Sequence, residues 1–397
     1  MRVLILHNRY RLQGGEERAV FEIAGLLERR GHTVEILERS SAHVTRGRAA
    51  RALLTGGADI DRVERALHRL QADVVHAHNV HPMFGWRALA AARRHGARTV
   101  LHLHNFRLYC SIGIAYRDGA PCHQCRGHNT LPGVIHRCRG SLGESAVYAA
   151  GLAAQQSRLL AEADRLIVLS QAHGELLRRH GLPTERLSVV PNFAPVPAGP
   201  RGPAGPRVPA AVPPGPAAGP RVPAAAHKPS EASFAFVSGR LVEEKGFDTA
   251  IRAARAAGVP LVVAGQGPDE QRLRDLAQGG EVRFPGWLGP RELDAMRAGA
   301  ALVLAPSRCE EACPYSVLEA LAAGLPVLVS DRGGLPEMAA PENVLPAEDP
   351  DAWAMRLRAL WRDEQGRRSC GEAALKLARE KFSEDRAYEG LLAAYTR

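Results

Sequence analysis

The chain has 397 residues, 45% of them apolar and 24% charged, with a formal net charge of +10. That length supplies cores for two domains, and the composition is that of a soluble globular protein. No run approaches the length of a spanning helix, and Met1-Arg-Val-Leu-Ile-Leu6 is too short and strand-like for a secretory signal, so the expected location is cytoplasmic.

From the start, strand-like and helix-like segments alternate. Arg2 to Leu6 reads as a strand, followed by a loop with Gly14-Gly15. A helix is predicted from about Glu16 to Arg30, with Val20, Ile23 and Leu27 on one face and Gly31 as its stop. Thr33 to Leu37, Asp73 to Ala77, Arg98 to Leu103, Leu166 to Leu169 and Leu187 to Val190 continue the series of strands. Residues 195–229 break it: they are rich in Pro, Ala and Gly, and the octapeptide Ala-Gly-Pro-Arg-Val-Pro-Ala-Ala occurs at 204–211 and again at 218–225. So few large apolar side chains cannot make a core, and the segment reads as an extended linker. The alternation then resumes with Phe234 to Val237, Leu261 to Ala264, Val282 to Phe284, Ala301 to Leu304 and Val327 to Val329, and a long helical tail runs from Asp351 to Tyr395. Such alternation predicts βαβ units, hence two doubly wound α/β halves with a ligand cleft at the C-terminal ends of the strands.

The positive charge comes mostly from Arg. No helix-turn-helix pattern, RNP motif or finger spacing accompanies it, so nucleic acid is not expected as a partner. An anionic substrate or an anionic membrane surface accounts for it equally well. Between Arg39 and Gly57, Arg39, Arg46, Arg48 and Arg51 occur without an acid; the stretch is either a solvated face or a surface that rests on lipid headgroups.

Of seven cysteines, Cys309, Cys313 and Cys370 are scattered, whereas Cys110, Cys122, Cys125 and Cys138 form a local group around one Cys-x-x-Cys. The surrounding segment is rich in Gly, Pro and His and has no apolar period. Four thiolates there could hold a structural tetrahedral Zn²⁺; the alternative is a set of buried thiols without metal.

The chemistry concentrates beyond the predicted strand ends. The run from Ala301 to Gly324 carries Glu311 on a loop and Glu319 on the following helix, with the first-turn amides of Tyr315, Ser316 and Val317 between them as an anion site. Gly239-Arg240 and Lys245 follow one strand, a cationic pair suited to a diphosphate leaving group. Gly265-Gln266-Gly267 follows the next, where glycines would let backbone approach a ligand. Ser330-Asp331-Arg332-Gly333-Gly334 ends another. In the first half Gly14 and Gly15 open a helix whose amides could meet phosphate. His76 and His78, and His102 and His104, stand at two further strand tips and read as a polar cleft rather than a metal site, because no carboxylate joins them.

Gly14-Gly15-Glu16, His104-Asn105, Val190-Pro191-Asn192, Gly239-Arg240 with Lys245-Gly246, Gly265-x-Gly267 and above all Glu311-x7-Glu319 resemble the family 4 glycosyltransferases over nearly the whole chain except the linker. His104-Asn-Phe-Arg-Leu-Tyr-Cys110 with the cysteines after it resembles a bacterial branch associated with surface polysaccharides and glycoconjugates. The resemblance implies the GT-B fold and a retaining, hexosyltransferase-type enzyme that moves a sugar from a nucleotide-diphosphate sugar to a hydroxyl of a glycan, lipid-linked or small-molecule acceptor. It implies Arg240 and Lys245 on the donor diphosphate, Glu319 on the ribose, Glu311 on the sugar hydroxyls, His104 beside that sugar and Gly14-Gly15 near the phosphates, with no metal cofactor needed for catalysis. The expected domains are 1–194, acceptor-binding with a Cys-rich insertion at 105–140, the linker 195–229, the nucleotide-sugar-binding domain 230–380, and a helix at 381–397 that packs back through Phe382, Tyr388 and Tyr395. A nucleotide-sugar 2-epimerase of the same architecture and a non-catalytic nucleotide-sugar-binding protein are the competing readings.

Overall fold

A computed structural model of the chain describes residues 1–9, 14–40, 44–183, 185–196 and 234–396. Residues 197–229 of the expected linker lie outside them. The chain divides into two compact units, one built from residues 1–117, 121–192 and 384–396, the other from 193–196 and 234–383 together with 118–120.

The first unit contains β1 (Arg2–Arg9), β2 (Thr33–Ser40), β3 (Val74–Ala77) and β4 (Arg98–His102), a two-stranded ribbon of β5 (Tyr116–Arg117) and β6 (Ala120–Pro121), then β7 (Arg165–Val168) and β8 (Leu187–Val189). The main sheet has the order β2-β1-β3-β4-β7-β8, parallel throughout. β1 runs three residues past its expected end because β2 pairs with it as far as Arg9 and Ser40. Val3 to Asn8 are all buried, as a parallel strand covered on both faces requires. Leu4, Leu6, Val75, Leu101 and Leu166 pack into one core, each such side chain contributing about 1.5–3 kcal/mol by leaving water. Its helices are α1 (Gly15–Arg29), α2 (Arg46–Thr55), α3 (Ile60–Leu70), α4 (Gly85–Arg94), α5 (Leu131–Ile135), α6 (Leu142–Glu162) and α7 (Gln171–Arg179).

The basic stretch before α2 is less solvent-facing than its sequence suggests. Arg39 is only 8% exposed and its guanidinium lies 3.0 Å from Asp59, a carboxylate that Arg48 also reaches. The stretch thus takes its counter-charge from Asp59, two positions beyond its end, and Arg46, Arg48, Arg51 and Leu54 are exposed.

In the second unit β9 (Phe234–Ser238), β10 (Leu261–Ala264), β11 (Val282–Gly286), β12 (Ala300–Ala305), β13 (Val327–Ser330) and β14 (Val344–Leu345) form a six-stranded sheet of order β11-β10-β9-β12-β13-β14. The helices α8 (Phe247–Ala257), α9 (Glu270–Leu276), α10 (Pro290–Gly299), α11 (Tyr315–Ala322), α12 (Pro350–Arg362) and α13 (Glu364–Lys381) belong to the same unit. The expected single tail is divided. Asp363 ends α12 and caps α13, its carboxylate accepting the Gly366 N–H at 2.8 Å. The last helix, α14 (Glu384–Thr396), belongs to the first unit: Tyr395 Oη lies 2.7 Å from His76 Nδ1, Tyr388 Oη 2.8 Å from His32 Nε2, and Glu384 2.8 Å from Arg29. Phe382, expected beside these tyrosines, falls in the second unit.

Each sheet has one place where the winding reverses, between β1 and β3 in the first unit and between β9 and β12 in the second. Helices leave the sheet on opposite faces at such a point, so a crevice opens beyond the strand ends.

Candidate functional site

In the second unit β9 and β12 are hydrogen-bonded neighbours, so the segments that follow them emerge side by side at the reversal. A single 3-10 turn, Glu243–Lys245, brings Lys245 to the loop after β12. There Lys245 Nζ pairs with Glu311 Oε1, and the Ser307 hydroxyl donates to the same oxygen at 2.9 Å. The two charged side chains are 24% and 15% exposed. Burial pushes the Glu311 carboxyl up, but the Lys245 ammonium and the Ser307 hydroxyl outweigh it and hold the group below the usual carboxylate range. Burial likewise pulls Lys245 down, and Glu311 reverses that. Both are therefore charged, with Glu311 Oε2 unpartnered among the described residues. Arg240 is exposed and has Glu244 as a distant partner at 3.7 Å.

The Glu311 loop is braced from both sides. Arg308 grips Asp248 through both guanidinium nitrogens at 2.8 Å, and its amide donates to Glu244 O at 2.8 Å. From the other side the Gly334 amide donates to Glu311 O at 2.7 Å. Gly333 has φ 56°, and a Cβ there would stand 2.2 Å from Glu311 O, so no other residue fits without moving the loop. Ser330 to Gly334 thus supports the site carboxylate.

At two of the nominated places the backbone has close partners within the protein. Gly265 (φ 140°) and Gly267 approach protein, not open space: added Cβ atoms would lie 1.8 Å from Gly239 O and 2.1 Å from Leu241 O. The two strand-tip turns are knitted together, Gly239 N to Ala264 O at 3.0 Å and Leu241 N to Gln266 O at 2.9 Å, which holds Arg240 between them. At the start of α11, the Val317 amide already donates to Pro314 O at 3.2 Å, because Pro314 caps the helix in an extended conformation. Of the three amides Tyr315, Ser316 and Val317, that one is not an open anion donor.

Glu319 lies about one turn along α11 and pairs at 2.8 Å with Arg297, which α10 holds only 6% exposed. Sequence reasoning missed Arg297, since nothing near it marks a strand tip. Glu311 and Glu319 therefore have different cationic partners, each supplied by a distant segment.

In the first unit Gly14 caps α1, and its amide donates to Glu17 at 2.7 Å, so only Gly15 of that pair remains as the expected phosphate donor. Asn105 Nδ2 reaches Glu16 at 3.1 Å. His76, His78, His102 and His104 form one stack: His78 Nδ1 lies 2.8 Å from His104 Nε2, and His76 Nε2 lies 3.2 Å from His102 Nδ1. Burial pushes all four well down, His76 to about 3, so they are neutral. Nitrogens of His76, His78 and His102 lie within 4.8 Å of one another, the one such trio of ligand atoms among the described residues. His76, however, has both nitrogens engaged, by Tyr395 and His102. Cys110, Cys122, Cys125 and Cys138 line one cavity, and none is in a disulfide.

Two family models match the chain in sequence, Glycosyltransferase Family 4 over residues 13–196 and Glycosyl transferases group 1 over residues 221–377. A putative colanic acid biosynthesis glycosyltransferase, WcaL of Salmonella typhimurium, is 32% identical over 37% of this chain and 39% of its own. A GDP-mannose-dependent alpha-(1-6)-phosphatidylinositol dimannoside mannosyltransferase of Mycobacterium tuberculosis is 35% identical over 39% of this chain and 42% of its own. The matched region thus spans about two fifths of the length of these relatives. Among solved structures, sucrose-phosphate synthase from Thermosynechococcus elongatus superposes with a TM-score of 0.67 at 16% identity, covering 99% of both chains. HepE of Anabaena, solved in complex with UDP, does so with 0.62 at 16% identity, again over 99% of both. These structural likenesses are of fold.

Proposed function

The chain belongs to the family 4 glycosyltransferases and has their GT-B fold, and from that premise we propose that it transfers a sugar from a nucleotide-diphosphate sugar to an acceptor hydroxyl with retention of anomeric configuration. The observation that carries this reading is the Lys245–Glu311 pair at the reversal of the second sheet. A cation and a carboxylate side by side there match the two ends of the reacting bond: Lys245, with the exposed Arg240, neutralises the charge that gathers on the departing diphosphate, and Glu311 Oε2 accepts sugar hydroxyls. Glu319 is assigned to the ribose, and the Ser316 amide to phosphate.

In the first unit His104 is assigned to the sugar and Gly15 to the phosphates. A neutral His104 has Nε2 engaged by His78 and keeps Nδ1 for a sugar hydroxyl, where a neutral ring can accept as well as donate and an imidazolium can only donate. The acceptor hydroxyl attacks the anomeric carbon on the face that the diphosphate leaves; its proton passes to the leaving phosphate oxygen as the glycosidic bond to phosphate breaks. The protein supplies position and leaving-group electrostatics. HepE was solved with UDP and the mycobacterial relative is named for GDP-mannose, which supports a nucleotide-sugar donor and leaves base and sugar to assay.

Release of nucleotide from a panel of UDP-, GDP- and ADP-sugars, followed by NMR of the product anomer, tests the reading. Acceptor-dependent release with a retained anomer supports it. Isomerisation of the sugar nucleotide without acceptor, or an inverted anomer, overturns it. Peripheral contact with an anionic bilayer is part of the proposal, supported by the exposed Arg46, Arg51 and Leu54 of α2; co-sedimentation with phosphatidylglycerol vesicles should fall as salt rises.

A further inference from the structure

Between β4 and α6 the chain makes little regular structure: two strands of two residues each and one five-residue helix, α5. Among the described residues, three of the five non-glycine positions with positive φ lie here, Ala115, Asp118 and Arg137. Each such residue costs on the order of 1 kcal/mol, so the segment is wound tightly in a conformation that local preference opposes. Exposed Leu131 and Ile135, 60% and 66% open to solvent, show how little of α5 is spent on a core.

Four cysteines from separate parts of this segment nevertheless face one cavity of about 20 Å³. Cys110 follows the turn after β4, Cys122 and Cys125 leave the ribbon, and Cys138 follows α5. The backbone holds each in place: Cys110 N donates to Phe106 O at 2.8 Å, Cys122 N to Ala115 O at 2.7 Å and Cys138 N to Gly133 O at 3.0 Å. Cys125 lies beside α5, its Sγ 3.9 Å from the place a Gly133 side chain would start. Ser111, from the same cavity wall, is 1% exposed with an Oγ that has no partner.

We infer that these four cysteines bind one structural Zn²⁺. The cavity has room for about one small ion or water. All four cysteines of the group line it among aromatic and aliphatic side chains, and four thiolates close a tetrahedral shell with no open position for substrate. No three of the sulfurs lie within 4.8 Å of one another, so binding must draw them in to about 2.3 Å from the ion. Four thiols lose four protons to solvent as the Zn–S bonds form, with no change of oxidation state. The metal then adds to the apolar packing of Phe106, Leu108 and Tyr109 by pinning the separate turns of this segment together. Distance from the Lys245–Glu311 pair in sequence and the closed shell make the role architectural. The histidine stack is the rival site, but binding there must first break His76 away from Tyr395 or His102.

The full chain, purified under reducing conditions without chelator or added metal, should contain about one zinc by mass spectrometry. Cys125→Ser and Cys138→Ser should each lose it, and Cys370→Ser should keep it. Should the serine variants fail to fold, cobalt exchanged into the wild-type chain still answers: thiolate-to-cobalt absorption with tetrahedral d–d bands supports the site. Metal-free protein that shows no cobalt–thiolate bands overturns the inference. So does zinc retained by Cys125→Ser but lost by His78→Ala, or a disulfide among the four cysteines.

Discussion

Lys245 and Glu311, 66 residues apart in the chain, meet Ser307 at a single oxygen: Glu311 Oε1 takes both the ammonium and the hydroxyl. The charge of each keeps the other ionised in a partly buried place. One consequence is that neither residue can be changed without affecting its partner.

Lys245→Ala is therefore expected to lower donor turnover by about 10²–10³-fold, the usual effect of removing one group that stabilises developing charge. It also leaves the Glu311 carboxylate without its cation, so its titration should move up towards and beyond the ordinary range. Glu311→Gln keeps the shape and removes the charge, and should lose a similar factor with the melting temperature changed by only a few degrees. Nucleotide-release kinetics with thermal melts decide; a variant that melts normally and turns over donor at the wild-type rate rejects the assignment.

Arg297 and Glu319 offer a test that separates support from binding. Arg297 is buried, so Glu319→Gln strands a cation that has Asp294 as its other partner at 2.5 Å. The expected loss is about 1–3 kcal/mol in denaturant unfolding. If Glu319 also holds the ribose, KM for the donor should rise in Glu319→Gln and stay near wild type in Asp294→Asn.

Gly333→Ala should act at a distance. The new Cβ would meet the Glu311 carbonyl at 2.2 Å on a backbone with φ 56°, which forces the loop to shift. A loss of about 2 kcal/mol or more in unfolding free energy, with turnover reduced although no substrate contact is removed, is the expected result. Unchanged unfolding and unchanged kinetics would show that the loop relaxes freely.

The buried histidines predict how stability follows pH. Burial lowers His7 to about 4 and His76 to about 3, whereas in the unfolded chain each takes up a proton below about 6.5. The unfolded state then binds more protons, so this stability is complete above about 6.5 and is lost as pH falls towards about 4 for His7 and about 3 for His76. Each contributes a slope of up to about 1.4 kcal/mol per pH unit in that window. Urea midpoints should decline between about pH 7 and about pH 5, and His7→Leu should flatten the decline.

The alternation of apolar strands and amphipathic helices located every main strand of both sheets except the two-residue β14, because periodicity is a local property that survives in a linear chain. It failed at the tail, where Asp363 caps a new helix inside a continuous helical pattern.

Local pattern also determined which residues stand at strand ends, and so the nomination of Arg240, Lys245, Glu311, Glu319 and His104 needed no coordinates. The four cysteines were equally visible as a group. What only the tertiary structure decided is who meets whom. Glu311 takes Lys245, Glu319 takes Arg297, Gly265 makes room for Gly239 O, and the Val317 amide is closed off by Pro314. The partners Arg297 and Gly239 are set by how one strand-tip loop packs against the next, and sequence spacing carries no record of that. Charge and glycine can be read residue by residue; a shared oxygen requires two loops to have closed around it.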